Sequence, residues 1–233
     1  MSDIGSSILY YIFPALGLII TSIAQLAITT NYSKYKQVMS RSHKAGHEVA
    51  REILNKHGLR NIDVVKVAGN LTDHYDPTNK VVRLSEDIYS GTSIASVSVA
   101  AHECGHAIQD KVSYTPMRIR SKLVPIVNFS TKIGYLVIVV GISAGALKIA
   151  TIGLILLLSM LLFQLVTLPV EFDASRRGKI ELDELHILNT DEQTGAARML
   201  RAAAFTYVAS VISTLFQILR MALMVIGSRK NDR

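Results

Sequence analysis

Residues 93–111 read SIASVSVAAHECGHAIQDK, with the pentapeptide HECGH at 102–106. On a helix, residues four apart lie on one face about one turn apart, so the imidazoles of His102 and His106 can reach one metal ion. Glu103 lies beside them, in the position of the general base in zinc hydrolases with the HExxH pattern. The sequence therefore predicts a helix that carries His102 and His106 as zinc ligands and Glu103 as the catalytic residue.

The neighbours of these residues indicate how the helix packs. Thr92 and Ser93 are both good N-caps, so the helix is expected to begin at one of them. Gly105 has no side chain to keep a neighbouring element away. Cys104 points away from the two histidines and is expected to be a small core residue. It is the only cysteine in the chain, so no intrachain disulfide can form.

Apolar residues are abundant and concentrated in blocks. Hydrophobic residues make up 49% of the 233 residues and charged residues 18%, which is unusually apolar for a globular protein. The first block reaches the ~20 residues that span a bilayer. Since residues 1–7 lack the positive charge of a signal peptide, this block is expected to be a retained anchor. The four apolar blocks are residues 8–28, 133–147, 149–170 and 204–226.

The distribution of basic residues argues against a nucleic-acid-binding protein. The formal net charge is +7, but the sequence contains no nucleic-acid motif, and Lys and Arg gather at the ends of the apolar blocks for topological reasons. Most lie on the side of the HECGH helix, so the positive-inside rule predicts a cytoplasmic active-site domain in a multi-pass plasma (inner) membrane protein. These flanks hold Lys34, Lys36, Arg41, Lys44, Arg118, Arg120, Lys122, Lys132, Arg176, Arg177, Lys179, Arg198 and Arg201.

The patterns between the blocks predict the remaining elements. The Val-rich residues 62–68 and 80–85 are flanked by turn formers and are expected to be strands. Residues 42–57 are amphipathic and are expected to form a helix that is capped by Ser42 and ends at Gly58. The fold class is therefore a mainly α membrane protein, with about four transmembrane helices and a small α+β zinc-peptidase domain.

Two boundaries in this organisation are less regular. The basic stretch before the hairpin is broken by Pro116 and Pro125, so it is expected to lie along the membrane surface, with the first hairpin helix beginning near Pro125. If Arg220 ends the fourth block, the remaining stretch is short for a span. The predicted parts are an N-terminal transmembrane anchor (1–29), a zinc-peptidase domain with the HExxH helix (30–132), a transmembrane hairpin (133–170), a segment with the third zinc ligand (171–203) and a C-terminal transmembrane segment and tail (204–233).

A third zinc ligand is expected where the hairpin ends. Glu171 follows the apolar block directly, and the hairpin returns the chain to the side of the HECGH helix. Two histidines and one carboxylate are a catalytic zinc set that leaves one position for water; Asp173 is the alternative carboxylate. With a water pKa lowered to about 7, Glu103 would take the proton and deliver it to the leaving amine. Candidate donors to the oxyanion are Tyr207, His186 and His74.

Four segments resemble the bacterial YugP-type neutral zinc metallopeptidases, and the similarity covers most of residues 42–210. This resemblance implies a membrane-embedded zinc peptidase with His102 and His106 as ligands and Glu103 as the catalytic residue. The four segments are GNLTDHYDPTNKVVRLS (69–85), VAAHECGHAIQ (99–109), LPVEFDASRR (168–177) and ARMLRAAAFTYVAS (197–210).

The layout is also similar, more distantly, to the HtpX/Ste24-type membrane proteases, whose third ligand lies in an ExxxD motif. That similarity places Glu171 as the ligand, but the position four residues later is Ser175 instead of Asp. Asp173 or the Ser175 hydroxyl is therefore expected to orient a ligand histidine by a hydrogen bond.

The sequence thus predicts a membrane-embedded zinc-dependent endopeptidase with one zinc ion, acting on membrane-proximal or misfolded protein segments. Its partners would be the lipid bilayer and a polypeptide substrate, which could add as a strand to an exposed edge of the small sheet. The alternative is a non-catalytic zinc-binding membrane scaffold or assembly factor. A closed site of four protein ligands would favour that alternative.

Overall fold

A computed structural model describes residues 3–231, with side chains described over 10–146 and 148–225. Residues 1–2 and 232–233, which begin the predicted anchor and end the predicted tail, lie outside the described residues. In chain order the elements are α1 (Asp3–Lys36), α2 (Gly46–Lys56), β1 (Asp63–Val67), β2 (His74–Asp76), β3 (Val81–Ser85), α3 (Glu86–Ser90), α4 (Ile94–Lys111), α5 (Thr115–Ser143), α6 (Leu147–Glu184) and α7 (Thr190–Asn231).

The chain folds as two compact units. The helical unit comprises the described parts of Met1–Gln25, Ile119–Leu168 and Phe205–Arg233, and the mixed unit comprises Leu26–Arg118 and Pro169–Ala204. Within the described residues, four helices are long and apolar enough to cross a membrane, which confirms a mainly α membrane protein with a small α+β part. These candidate spans are Tyr10–Lys36, Thr115–Ser143, Lys148–Glu184 and Thr190–Val225.

Within the helical unit, α5 and α6 form the predicted hairpin. The turn between them passes through Gly145, whose φ of +66° is accessible to glycine at little cost. A Cβ atom on Gly141 would lie 2.4 Å from the backbone nitrogen of Ala150. Such close backbone approach at small residues is the usual way in which transmembrane helices pack.

One expectation about these helices is wrong. The basic stretch is not a separate surface helix, because α5 runs unbroken from Thr115 through Pro125. Pro116 lies in the first turn, where a missing N–H group breaks no helical hydrogen bond. The sequence leaves open whether the fourth block ends at Arg220, and α7 continues through that residue to Asn231.

The mixed unit contains a three-stranded sheet in the order β1-β3-β2. β1 pairs with β3 in parallel, and β2 pairs with β3 in antiparallel fashion. β1 and β3 confirm the two predicted strands, whereas β2 lies in the stretch that was expected to be a connection. The central strand β3 is almost entirely buried. The largest fully buried side chains of the core that it shares with α2, α3 and α4 are Ile53, Leu54, Ile62, Leu84, Ile88, Val49 and Val82.

Helix α2 begins at Gly46, so the expected start after Ser42 is wrong. The preceding backbone is instead paired with the segment before α4: Gly46 N–H donates to the Gly91 carbonyl at 3.0 Å. A carboxylate oxygen of Glu48 accepts a hydrogen bond from the Ala45 N–H at 2.7 Å and so caps the helix from within. The expected stop at Gly58 is confirmed by its φ of +68°.

Candidate metal centre

The HECGH helix forms as expected and lies inside the mixed unit. α4 spans Ile94–Lys111, and the Ser93 hydroxyl accepts from the Ser96 N–H at 3.1 Å as its N-cap. Cys104 is fully buried with its sulfur 3.5 Å from the Ala50 carbonyl, which confirms it as a core residue. Burial raises the pKa of this thiol well above its ordinary value. The face of α4 away from α2 is left for the histidines.

Two glycines bring α4 into backbone contact with α6. A Cβ atom on Gly105 would lie 2.4 Å from the Ala174 carbonyl oxygen, and one on Gly178 would lie 2.8 Å from the Ala101 carbonyl oxygen. Neither position could carry a side chain without moving the backbone opposite. The pairing of 105 with 174 and of 101 with 178 makes the two helices antiparallel. The part of α6 that follows Pro169 therefore lies against the face of α4 that carries the HECGH motif.

The predicted ligand residues meet at this crossing. Nε2 of His102 lies 3.3 Å from Oε2 of Glu171, and Nε2 of His106 lies 3.6 Å from the same oxygen. One ligand atom from each residue lies within 4.8 Å of the others. Ligand atoms at 2.0–2.1 Å from a tetrahedral zinc ion are about 3.4 Å apart, so the observed spacing fits zinc. The donor chemistry, two imidazoles and one carboxylate, is also that of catalytic zinc sites.

Gln109 sets the tautomer of His106. Its Nε2 donates to the Val170 carbonyl at 2.7 Å and to a carboxylate oxygen of Asp173 at 3.0 Å. Both partners accept only, so the amide oxygen of Gln109 must face Nδ1 of His106, 3.0 Å away. Nδ1 therefore carries a hydrogen, which leaves Nε2 as the nitrogen that can bind a metal ion when the ring is neutral. Sequence reasoning did not identify Gln109, which follows His106 by three residues, one helical turn.

Ser175 occupies the corresponding position for His102. Its Oγ lies 3.0 Å from Nδ1 of His102, on the ring atom opposite the one that faces Glu171. Asp173, the alternative ligand, instead accepts from Arg177 and from Gln109. The two residues that were expected to replace the Asp of the ExxxD motif therefore both contribute to orienting a histidine. Ser175 contacts His102 directly, and Asp173 is linked to His106 through Gln109.

Glu103 adds negative charge to this site. Its side chain is buried, with 7% relative exposure, on the turn between the two histidines. Burial opposes the protonated form of His106, but the hydrogen bond to Glu171 and the charges of Glu103 and Glu171 outweigh it, so the pKa of His106 is raised above its usual value. The centre therefore attracts cations, either protons or a metal ion.

The suggested oxyanion donors lie on different elements. His74 is on β2, with Nδ1 2.8 Å from the Thr72 carbonyl. His186 lies in the exposed turn after α6, with a φ of +51°. Tyr207 lies on α7. The identity of the oxyanion donor stays a prediction.

Comparison with known proteins gives a consistent picture. A family model described as "Putative neutral zinc metallopeptidase" matches residues 10–226. The curated protein "Putative membrane protease YugP" of Bacillus subtilis (strain 168) is 42% identical over 209 residues, which cover 90% of this chain and 93% of that protein. No solved structure matches the chain.

Proposed function

Since the chain belongs to this neutral zinc metallopeptidase family, we propose that it is a membrane-embedded zinc endopeptidase. In this proposal His102, His106 and Glu171 hold one zinc ion, and Glu103 is the general base. The observation that carries it is the set of three donors, spaced for zinc, beside a buried glutamate. Three protein ligands are the number found in catalytic zinc sites, whereas structural sites use four.

Each residue has a defined part in the proposed reaction. Zinc bound at this site would polarise the scissile carbonyl and lower the pKa of a water molecule to about 7. Glu103 accepts the proton from the attacking water and delivers it to the leaving amine. Gln109 holds His106 in the tautomer with a hydrogen on Nδ1, which leaves Nε2 available to bind a metal ion. Ser175 orients the ring of His102 in the same way.

The sheet offers a place for an extended substrate. The stripe of His102 and His106 continues along α4 to Asp110, which accepts a 2.7 Å hydrogen bond from the Tyr75 hydroxyl on β2. β2 is an edge strand in the order β1-β3-β2. We infer that a peptide adds to its outer edge by main-chain hydrogen bonds and so runs past the end of the histidine stripe.

The class of substrate and the side of the membrane follow from sequence position. Glu171 comes directly after an apolar block that ends at Val170, which favours membrane-proximal or misfolded polypeptides as substrates. The basic residues that flank the spans favour a cytoplasmic location for α4 in a protein of the cell membrane. Labelling of Lys111, which is exposed at the end of α4, in intact and permeabilised cells tests this orientation. Labelling in intact cells by a membrane-impermeant reagent would reverse it.

The test of the enzyme proposal uses the full-length chain purified in detergent. Zinc content and cleavage of an unfolded polypeptide are measured for the wild type and for Glu103→Gln. The variant is expected to keep its zinc and to lose about 10²- to 10⁴-fold in cleavage rate, because the proton acceptor is gone.

Glu86→Gln is the matched control, since the Glu86 side chain on α3 is 73% exposed and pairs only with the likewise exposed Lys66 among the described residues. It should cleave at the wild-type rate. Equal cleavage by wild type and Glu103→Gln would refute the role of Glu103. A wild type that binds zinc but cleaves no polypeptide would favour the scaffold alternative.

A further inference from the structure

A groove of about 650 Å³ lies in the mixed unit between the later part of α6 and the start of α7. All of its lining residues fall between Phe172 and Ala204, and none of them is a member of the His102, His106 and Glu171 set. Ser175 lines it and contacts His102 on the ring atom that faces away from Glu171. The groove therefore adjoins the metal centre at Ser175 but contains none of its proposed ligands.

Cations predominate in the lining of the groove, which holds Arg176, Lys179 and Arg201 against the single carboxylate of Asp183. Arg176 is 63% exposed and shares Asp173 with a neighbouring arginine. Arg201 donates its Nε–H to the Ala197 carbonyl, and its NH2 groups have no acceptor within the described part of the chain. The excess positive charge suits an anion that can accept several hydrogen bonds at once.

Gln193, another lining residue, carries a donor that lacks an acceptor among the described residues. Nε2 of Gln193 is buried and has no hydrogen-bond partner among the described residues. A buried polar atom without a partner calls for an explanation, and a group bound at the site is one that fits here. Because the atom is a donor, the partner that fits it is an acceptor, as the oxygens of a phosphate are.

Apolar side chains adjoin these polar groups. Phe172 and Ile180 line the same groove and are 49% and 41% exposed. In sequence, Phe172 comes two residues after the apolar block of α6, and Ala204 opens the apolar block of α7. A groove that combines cations with exposed apolar groups, beside two candidate spans, matches a phosphodiester attached to acyl chains better than a free ion.

We propose that this groove binds the headgroup of an anionic phospholipid. The phosphate would lie among Lys179, Arg201 and Gln193, and the glycerol and upper acyl chains against Phe172 and Ile180. This inference does not depend on peptidase activity, because none of these residues belongs to the metal centre.

The experiment measures lipid binding to the full-length chain in detergent micelles. Phosphatidylglycerol, phosphatidylcholine and inorganic phosphate are each titrated against the wild type and against Lys179→Gln/Arg201→Gln. The matched control is Lys122→Gln/Arg198→Gln, which removes the same charges from exposed positions outside the groove. The groove variant is expected to bind phosphatidylglycerol about 10- to 30-fold more weakly than the wild type, and the control within about twofold of it.

A second variant distinguishes a loss of lipid binding from misfolding of the first variant. Gln193→Met removes the unpartnered donor without changing the charge, so it should leave the melting temperature of the lipid-free protein unchanged and weaken phosphatidylglycerol binding several-fold. Equal losses in the groove and control variants would refute the proposal in favour of general surface charge, and so would unchanged binding by Gln193→Met. Displacement of the lipid by inorganic phosphate at equal concentration would identify a free anion as the ligand and overturn the lipid assignment.

Discussion

Gly105→Ala should weaken metal binding at the proposed centre without unfolding the protein. The new Cβ atom would lie 2.4 Å from the Ala174 carbonyl oxygen, whereas ordinary contact begins at 3.4 Å, so α4 and α6 must separate by about 1 Å at this point. Glu171, one turn before Ala174, would move with α6. The Glu171 carboxylate oxygen now lies 3.3 Å from Nε2 of His102 and 3.6 Å from Nε2 of His106. Metal–ligand distances tolerate a change of only about 0.2 Å, so after the shift the three atoms could no longer bind one ion.

The cost in stability should be smaller than the cost in metal binding. Overpacking costs about 1–3 kcal/mol, and alanine regains about 1 kcal/mol over glycine in a helix interior. Net destabilisation is therefore about 0–2 kcal/mol. A ligand displaced by about 1 Å should reduce zinc affinity and peptide cleavage by about 100-fold.

The assay is a zinc competition titration together with a thermal melt in the presence of a chelator. Cys104→Ala is the matched control, because it removes a fully buried group from the adjacent residue on the face opposite α6. It should lose about 1 kcal/mol of stability and keep its zinc affinity. Wild-type zinc affinity in Gly105→Ala, or an equal loss of affinity in Cys104→Ala, would refute the reasoning from the helix crossing.

Three further predictions concern the surroundings of the site and the sheet. Gln109→Leu should weaken zinc binding about 10- to 100-fold in the same titration, because it frees the His106 tautomer; unchanged affinity would contradict the tautomer argument. The pKa of His106 is raised in the zinc-free protein, so protons compete with zinc below that raised pKa. As the pH drops, zinc affinity should begin to fall already above the ordinary histidine pKa of about 6.5, and a flat profile would exclude this competition. The pKa of Asp76 is lowered by the Arg83 guanidinium, so its contribution to stability is present above about pH 4 and is lost as the pH falls further. In thermal melts Asp76→Asn should lack that part of the acid-induced loss, and Asp63→Asn, an exposed control, should retain it.

The sequence was most informative where a short-range pattern decides the outcome. Predicting that His102 and His106 share one face needed only the geometry of a single helix. Predicting the hairpin needed only two apolar blocks and the small-residue turn between them. Glu171 was identified from its position after the second block. In each of these cases the relevant residues are close in the chain or are ordered by a single crossing.

The residues that were missed depend on contacts between distant segments. Gln109 reads as an ordinary polar helix residue, and its role arises only because α6 places the Val170 carbonyl and Asp173 beside it. β2 has three residues and no apolar alternation. It is held by antiparallel pairing with β3 and by the contact of Tyr75 with Asp110, which no local pattern predicts.

The start of α5 was predicted wrongly for a different reason. Pro116 and Pro125 were taken as breaks, but a proline in the first turn costs no hydrogen bond, and the helix runs unbroken through Pro125. The α4–α6 crossing was anticipated only in part: Gly105 was recognised as a position of close approach, whereas Gly178, which makes the equivalent contact from the other helix, was not.

The most direct test of the proposed metal centre is an anomalous difference map, measured at the zinc absorption edge, from crystals of the full-length chain with zinc. We expect one peak per chain, within about 2.2 Å of Nε2 of His102, Nε2 of His106 and a carboxylate oxygen of Glu171. A peak bound to Asp173, or a zinc ion closed by a fourth protein ligand, would contradict it.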